Sequence, residues 1–257
     1  MAKRLLVDDW IEEAGKSKLP ISIKKEPRQY EKRIVAWFDI LGMRKKISKS
    51  KNAEEILSLM EKFHYYMKLY CDAFIEQGEI NYVQISDGFI ISAKLSLLND
   101  LCKILCEIQW KILVYDLMLL RGAITVGKVS ISDDLKIIIG PAFIEAFALE
   151  SENAIFPRIL CSSEIKKQIP KKYFDFKYIK KDSDHFLFLD FLSYEIEQKK
   201  YNTKILDNFL EKHGVKDLLK NEYFKNIKDN IRLAQKYGWL IKRFEENDIL
   251  IIQEEER

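Results

Sequence analysis

Hydrophobic and polar positions follow two periods along this chain, and these periods predict where strands and helices lie. The run IVAWFDILG, which begins at Ile34, is short, continuous and rich in branched and aromatic residues, which favours a buried strand. Across residues 52–77 the apolar positions recur at spacings of three and four, which predicts an amphipathic helix. INYVQIS and GFIISAK lie on either side of a tight turn at 86–88, and they predict two paired strands.

The pattern continues through the second half of the chain. Residues 97–120 predict a largely buried helix, and the β-branched segment 121–132 predicts a strand that turns at 133–134 into LKIIIG. Pro141 starts a helix over AFIEAFALESE, and Ser163 is a candidate cap for the helix SEIKKQI. RILCSS, KYIKK and HFLFLDF predict three further strands. The element order is typical of an α+β fold with a ferredoxin-like mixed sheet and helices on one face.

The texture of the chain changes near both ends, which divides it into three parts. Residues 1–32 are a charged N-terminal extension, which we expect to pack loosely or as an arm. Residues 33–194 form the mixed domain, and residues 195–257 form a Lys-rich helical C-terminal extension. Two or three amphipathic helices are predicted there, near 201–213, 216–237 and 239–247.

Composition narrows the class of protein. The chain has 257 residues with 43 Lys+Arg against 40 Asp+Glu, and its formal charge of +3 is too small to favour a nucleic-acid partner. Hydrophobic residues make up 47%, which excludes a disordered chain, and no apolar stretch is long enough to predict a membrane span. Four cysteines show no CxxC spacing, and the N-terminus does not match a signal peptide. We therefore expect a cytoplasmic protein with buried free thiols and with no nucleic-acid or membrane partner.

Two acidic residues stand where predicted strands end. Asp39 follows IVAWF, and Asp87 lies in the turn between the next two strands. The first and third strands of a ferredoxin-like sheet are neighbours, so these carboxylates could meet at one rim. Paired carboxylates repel each other, and a divalent cation such as Mg²⁺ or Mn²⁺ relieves the repulsion and suits phosphoryl transfer. Spacing alone leaves a second interpretation open, in which both residues are ordinary acids that cap turns.

Four segments in order resemble the blocks of the class III nucleotide cyclase catalytic domain. They are WFDILGM at 37–43, QISDGFII at 84–91, RGAITVGKV at 121–129 and GPAFIEAFALE at 140–150. The order and spacing fit that family over residues 33–192, although no single block is specific. In character the chain is closest to the bacterial antiphage cyclases that act on pyrimidine nucleotides, uridylate and cytidylate.

The resemblance implies a catalytic site with defined residues. Asp39 and Asp87 would be catalytic and would bind two Mn²⁺ or Mg²⁺ ions, with the carbonyl of Ile40 as a further ligand. Backbone amides of Leu41, Gly42 and Met43 would hold the triphosphate. A lysine of KYIKK, Lys180 or Lys181, would pair with it. Arg121 would serve the triphosphate or the carboxylates, or would anchor a strand end. The implied nucleotide-binding residues are Phe38, Ile40, Leu41, Gly42, Met43, Gln84, Ser86, Arg121 and Lys181.

Departures from the family pattern bear on substrate and activity. Ile144 and Ala148 stand where the family has an Asn and an Arg that support the transition state, and Val83 or Gln84 replaces its purine-reading lysine. A pyrimidine ring is smaller than a purine and needs fewer polar side chains around it. Gln84 or Ser86 could hydrogen-bond to its edge. The same departures also fit a domain that binds nucleotide without turnover, or a cyclase-like core that serves only as a scaffold.

The resemblance therefore leads to one expectation about function and one alternative. We expect a homodimeric, metal-dependent nucleotidyl cyclase that converts a nucleoside triphosphate, UTP ahead of CTP, to a 3′,5′-cyclic nucleotide and pyrophosphate. A role for the product as a second messenger in antiphage defence would follow from the same resemblance. The alternative is a catalytically inactive nucleotide-binding regulatory domain on the same fold.

Overall fold

The computed structural model describes residues 29–132, 136–171 and 176–252. The expected N-terminal arm, apart from its last four residues, and the turn at 133–134 lie outside these residues. Eight strands occur in the described part of the chain: β1 Glu31–Leu41, β2 Ile80–Ile85, β3 Gly88–Ala93, β4 Leu119–Ser132, β5 Ile137–Ile139, β6 Ile159–Cys161, β7 Ile179–Lys181 and β8 Leu187–Leu189.

Nine α-helices accompany these strands in the described ranges, with a 3₁₀ turn at Leu95–Leu97. They are α1 Met43–Lys49, α2 Ala53–Glu76, α3 Leu98–Asp116, α4 Pro141–Asn153, α5 Ser163–Gln168, α6 Phe191–Gln198, α7 Thr203–Lys212, α8 Val215–Asp229 and α9 Ile231–Glu245. No helix in the described residues is both long enough and apolar enough to span a bilayer. All four cysteines are free and buried, as their spacing predicted.

The sheet is mixed, as predicted, and its strand order is β2-β3-β1-β4-β6-β8-β7, with β5 paired to β4. The β4–β6 pair is parallel and the other pairs are antiparallel. β1 lies between β3 and β4 at the centre of the sheet. This position confirms that the first and third strands are neighbours.

Helices cover both faces of the sheet, so the expectation of helices on one face was wrong. Side chains of β1 alternate between the two faces. Ile34 and Phe38 join the large core formed with α2 and α3, whereas Val35 packs in a separate cluster with Ala142 of α4. A Cβ added at Gly127 of β4 would lie 3.1 Å from that of Ala142, so α4 approaches the sheet closely at this point. Small residues on both sides allow α4 to occupy the second face.

Several element boundaries differ from the predicted ones for local reasons. Helix α3 ends at Leu117, which has a left-handed φ of 53°, so the segment predicted as helix to residue 120 ends in β4 instead. The helix predicted over 216–237 is two helices, because Asn230 breaks it with a φ of −149° and caps α9. Ser162 rather than Ser163 caps α5. The sequence pattern did not predict α1 or α6.

The C-terminal helices are part of the main core. Leu206 and Leu210 of α7 and Leu240 and Phe244 of α9 are buried in the same apolar cluster as Ile108 of α3. The amino-acid composition changes near residue 195, but one hydrophobic core includes residues from both sides of that position.

One carboxylate is fully buried where α6 packs on α3. Glu195 of α6 has no exposed side-chain surface, and neither of its oxygens receives a hydrogen bond. Nζ of Lys199 lies 3.8 Å from Oε2 of Glu195 and 3.9 Å from Oε2 of Glu107 in α3. Burial, and then the nearby charge of Glu107, raises the pKa of Glu195 to about 8. The folded protein thus favours the neutral form of this acid.

We predict that Glu195→Gln stabilises the protein by an amount that grows from about pH 5 to about pH 8, between the ordinary pKa of a glutamate and the raised pKa of Glu195. Over this interval the folded wild type retains a proton that its unfolded chain has already lost, so wild-type stability falls as pH rises. Glutamine keeps the shape without the charge and escapes that loss. Thermal denaturation across this range measures the difference. The control is Glu197→Gln, which changes an exposed carboxylate two residues away. A stabilisation that is constant with pH would contradict the assignment.

Candidate active site at the sheet rim

The register of the central strands places two acids at one rim of the sheet. Asp39 of β1 lies opposite Gly88 of β3 on one side and opposite Arg121 of β4 on the other. Asp87 directly precedes Gly88, in the two-residue turn between β2 and β3. Its charge acts on Arg121, so both acids share the environment of one guanidinium.

The β2–β3 turn is held in a defined conformation. Ser86 has a left-handed φ of 58°, a conformation that costs a residue with a side chain about 1 kcal/mol or more. Nε2 of Gln84 donates a hydrogen bond of 3.2 Å to the carbonyl of Ser86, which supports the turn from within the hairpin. A Cβ at Gly88 would lie 2.2 Å from the indole of Trp37, so only glycine fits beside this ring. These contacts fix where Asp87 leaves the sheet.

Arg121 bridges two carboxylates. Its Nε lies 3.0 Å from Oδ1 of Asp39 and its Nη2 lies 3.3 Å from Oδ2, so the guanidinium holds Asp39 through two atoms. The same Nε lies 2.7 Å from Oε1 of Glu150 in α4. Nε1 of Trp37 donates a 3.3 Å hydrogen bond to the other oxygen of Glu150. Glu150 is only 3% exposed, so its charge is compensated almost entirely by protein groups.

Burial and charge shift the pKa values of these groups in consistent directions. Burial, together with the charge of Asp39, raises the pKa of Glu150, although Arg121 and Trp37 partly offset the shift. Burial lowers the pKa of Arg121, but the hydrogen bond and charge of Asp39 outweigh it and leave a net increase. Arg121 is therefore a permanent cation, and its surroundings favour the neutral form of Glu150 more than water would.

Gly42 ends the strand that carries Asp39. It has a left-handed φ of 88°, and a Cβ there would meet no atom within 4 Å, so its backbone faces open space. Met43, which follows, is buried and begins α1. A groove of about 500 Å³ starts at Leu41 and Gly42 and runs between α1 and the C-terminal helices. It continues past Lys45 and Lys46 of α1.

Lys236 of α9 reaches the same region, although no motif in the sequence singles it out. It lines the groove beside Gly42 and is half-buried. Burial and the charge of Arg121 lower its pKa, while Asp39 and Glu150 act in the opposite direction. A lysine of the C-terminal extension therefore lies within electrostatic reach of the central acids.

The donor atoms at the rim fit a hard divalent cation. Asp39 and Asp87 supply carboxylate oxygens, and Oε1 of Glu150 receives no hydrogen bond although it is nearly inaccessible to solvent. Mg²⁺ and Mn²⁺ take such oxygens and keep several positions for water or phosphate. Within the described ranges no three acidic, His or Cys side chains form a closed ligand group. The rim therefore suits an ion that completes its shell with phosphate oxygens.

Solved structures with the same arrangement of elements are cyclase catalytic domains. The monomeric guanylyl cyclase domain of the RhoGC fusion protein from the aquatic fungus Blastocladiella emersonii superposes with a TM-score of 0.52 at 14% identity, covering 64% of this chain and 96% of that chain. The chain has the class III nucleotide cyclase fold. At this identity the likeness concerns the fold alone.

Two further structures are similar at lower TM-scores. The guanylate cyclase domain of RhGC from Catenaria anguillulae, in complex with GTP, gives 0.49 at 12% identity, covering 63% of this chain and 96% of that one. A bacterial light-regulated adenylyl cyclase gives 0.45 at 16% identity, covering 54% of this chain and 79% of that one. No protein-family model and no curated protein matches the sequence.

On this cyclase fold, some predicted site residues point away from the rim. The side chains of Phe38 and Ile40 are buried in the core on the opposite face from Asp39, so only their backbone is near the site. Gln84 lies opposite Phe89, whose ring stacks on Phe38, and so it shares that opposite face. Within one subunit the structure therefore does not bring the Gln84 side chain together with Asp39.

The two lysines of the late hairpin differ in their contacts. Nζ of Lys180 lies 2.7 Å from Oδ2 of the buried Asp190 and donates to Oγ of Ser193, so this lysine is bound within the fold. Lys181 is exposed and belongs to none of the ion pairs among the described residues. Strand β7 lies four positions from β1, roughly 19 Å at about 4.8 Å per strand, so Lys181 and Asp39 do not meet within one subunit.

Helix α4 of the cyclase fold presents different chemistry on its two sides. Glu150 is buried toward the rim, whereas Ile144 is 67% exposed and points away from it. Ala148 is half-buried and carries no polar group. Sequence analysis did not select Glu150 as a site residue. Its place at the end of the fourth sequence block was the only sign that it belongs to the site.

We predict that Arg121→Ala destabilises the protein by about 1–3 kcal/mol near neutral pH, because Asp39 and Glu150 lose their shared cation. The loss should shrink as the pH is lowered, because the raised pKa of Glu150 lets this acid take up a proton and so removes its repulsion with Asp39. Urea denaturation at neutral pH and at a lower pH measures it. Arg121→Lys keeps a positive charge and should recover part of the stability. An equal loss at both pH values would contradict this electrostatic role.

Proposed function

We propose that this chain is a metal-dependent nucleotidyl cyclase. It converts a nucleoside triphosphate to a 3′,5′-cyclic nucleotide and pyrophosphate. The observation that carries the proposal is the meeting of Asp39 and Asp87 at one rim, beside the open backbone of Gly42. The cyclase fold alone would not carry it, because folds host many activities. Two acids beside an anion-accessible backbone match the needs of phosphoryl transfer.

The residues of this chain divide the work of the reaction. Asp39, Asp87 and the carbonyl of Ile40 would hold two Mg²⁺ or Mn²⁺ ions, which would lower the pKa of the ribose 3′-hydroxyl and neutralise the α-phosphate. Backbone amides of Leu41, Gly42 and Met43 orient the triphosphate. The 3′-oxygen then attacks the α-phosphorus in line and pyrophosphate leaves.

Arg121 has two roles in this proposal. It keeps Asp39 and Glu150 compensated while the site awaits its substrate. Its guanidinium would be available to the phosphates of the substrate if Asp39 turned instead to the cations that accompany the substrate. Lys181, exposed on the edge strand, would act on the triphosphate at a site shared between subunits.

The proposed base is a pyrimidine, with UTP ahead of CTP. Ile144 and Ala148 of α4 carry no groups that could hydrogen-bond a purine edge. Val83 lies in the apolar cluster on the Asp39 face of the sheet, so no polar side chain replaces the purine-reading lysine there. Gln84 and Ser86, at the hairpin turn, are the proposed contacts to the smaller ring. The cyclic pyrimidine nucleotide would act in the cytoplasm as a second messenger, in antiphage defence.

The working form is proposed to be a symmetric homodimer. Four apolar side chains of β5 and α4 are more than two-fifths exposed in the single chain: Ile137, Ile139, Ile144 and Phe147. We call them the apolar face. Exposed apolar groups that lie together mark interaction surfaces. A twofold axis through this face would give two equivalent sites, each with contributions from both subunits.

A second candidate function is nucleotide binding without turnover. One observation favours it: Asp39, the first metal acid, is held by two atoms of Arg121. A regulatory domain could keep this pairing and bind nucleotide through the Gly42 segment. Product formation separates the two functions.

We predict that the purified protein with Mn²⁺ and an equal mixture of the four ribonucleoside triphosphates forms mainly cyclic UMP, measured by chromatography and mass spectrometry. Asp39→Asn and Asp87→Asn should each lower the rate by orders of magnitude, because one carboxylate cannot hold both ions. Circular dichroism should show both variants folded.

Each other outcome has a distinct meaning. A dominant cyclic AMP or cyclic GMP peak rejects the pyrimidine assignment and retains the cyclase. Normal turnover by Asp87→Asn rejects the metal assignment. Absence of product, together with thermal stabilisation by a triphosphate, identifies the non-catalytic regulator.

We predict that Ile144→Glu shifts the protein from dimer to monomer and lowers its specific activity, because a charge cannot be buried in an apolar interface without a partner. Sedimentation velocity measures the association state. Ile205→Glu, at an exposed position on α7 outside the apolar face, is the control and should leave the dimer intact. A fully active monomer would contradict the shared-site dimer.

A further inference from the structure

The groove beside Gly42 is lined by residues from two distant parts of the chain. Lys45, Lys46 and Lys49 come from α1, and Lys236 comes from α9 of the C-terminal extension. None of these four lysines takes part in an ion pair with another described residue. The groove therefore gathers four lysines that stand outside these ion pairs, although the charges of Asp39 and Glu150 act on Lys236 from the rim.

The acidic residues of the groove do not cancel this charge. Its lining contains two glutamates, Glu55 and Glu222, against the four lysines. Glu222 already pairs with Lys225 at 3.4 Å and accepts a hydrogen bond from Asn226, so its charge is engaged elsewhere. Four lysines against two glutamates leave an excess of positive charge, and lysine is a compact point charge suited to phosphate.

Lys236 is the member of this set that the fold positions most firmly. It is half-buried, and the helix that carries it is anchored by the buried residues Ala234, Leu240 and Phe244. It lies at the end of the groove where Arg121, Asp39 and Glu150 exert their charges on it. The lysines of α1 extend from there toward solvent.

We propose that Lys236, with the lysines of α1, binds the β- and γ-phosphates of the nucleotide and the pyrophosphate product. The inference rests on the proposed function for the identity of the ligand, and on the groove for the site itself. It makes the C-terminal extension a part of the active site of its own subunit. Lys236 is then a phosphate-binding residue that no block of the cyclase pattern contains.

The test uses inorganic tripolyphosphate, which has neither base nor ribose, and isothermal titration calorimetry without divalent metal. The wild type should bind it, and Lys236→Gln should weaken binding about 10-fold or more, as loss of a charge-assisted contact does. Lys236→Arg should recover most of the affinity. Lys242→Gln is the matched control, because Lys242 lies on the same helix, is exposed and pairs with Glu246. Thermal denaturation should show that all three variants are folded.

This inference would be overturned if the wild type did not bind tripolyphosphate, or if Lys236→Gln bound it with the affinity of the wild type. An equal loss in Lys242→Gln would also reject it, since binding would then follow overall charge. Cyclic product formed by Lys236→Gln with an unchanged KM rejects this inference and leaves the cyclase proposal standing. If tripolyphosphate binding depends on Lys236 but the protein forms no cyclic product, the phosphate site stands and the cyclase proposal is rejected.

Discussion

Balance of charge at the sheet rim is the constraint on which the rest of the site depends. Asp39 and Glu150 stand on either side of Arg121, whose guanidinium pairs with both carboxylates in this partly buried place. Arg121 supplies this cation from the adjacent strand, and Lys236 of α9 adds a second positive charge nearby. In the proposed cyclase, a substrate that arrives with divalent ions would bring more positive charge to the same carboxylates. The resting and bound states would therefore differ chiefly in which cation faces Asp39.

The sheet meets this constraint through register and alternation. Antiparallel pairing sets Asp39 between Gly88 and Arg121, and alternation sends the Asp39 side chain to the face that α4 covers. Because Gly88 has no side chain, the indole of Trp37 can lie there and donate to Glu150. A change of one residue in register would turn Asp39 into the core and Phe38 toward the rim.

The central strands and the α2 helix could be predicted because their apolar periods are long and unbroken. The tight turn of 86–88 followed from its turn residues. Helix α1 could not be predicted, because MRKKISK has too few apolar positions to show a period. The break at Asn230 was hidden because the residues on both sides have helical spacing, and only the cap formed by its side chain ends the run.

The candidate site was only partly accessible to sequence reasoning. Asp39 and Asp87 stand in recognisable blocks, whereas Lys236 comes from a Lys-rich helix in which no lysine differs from its neighbours in pattern. Its position depends on the burial of Leu240 and Phe244 in the core that α3 shares with the C-terminal helices. Packing thus decides which of many lysines reaches the rim. Since α4 carries Ile144 and Ala148 in place of polar groups, cationic assistance near the phosphates of the proposed substrate would have to come from other elements, and α9, which carries Lys236, is packed closely enough to the rim to contribute it.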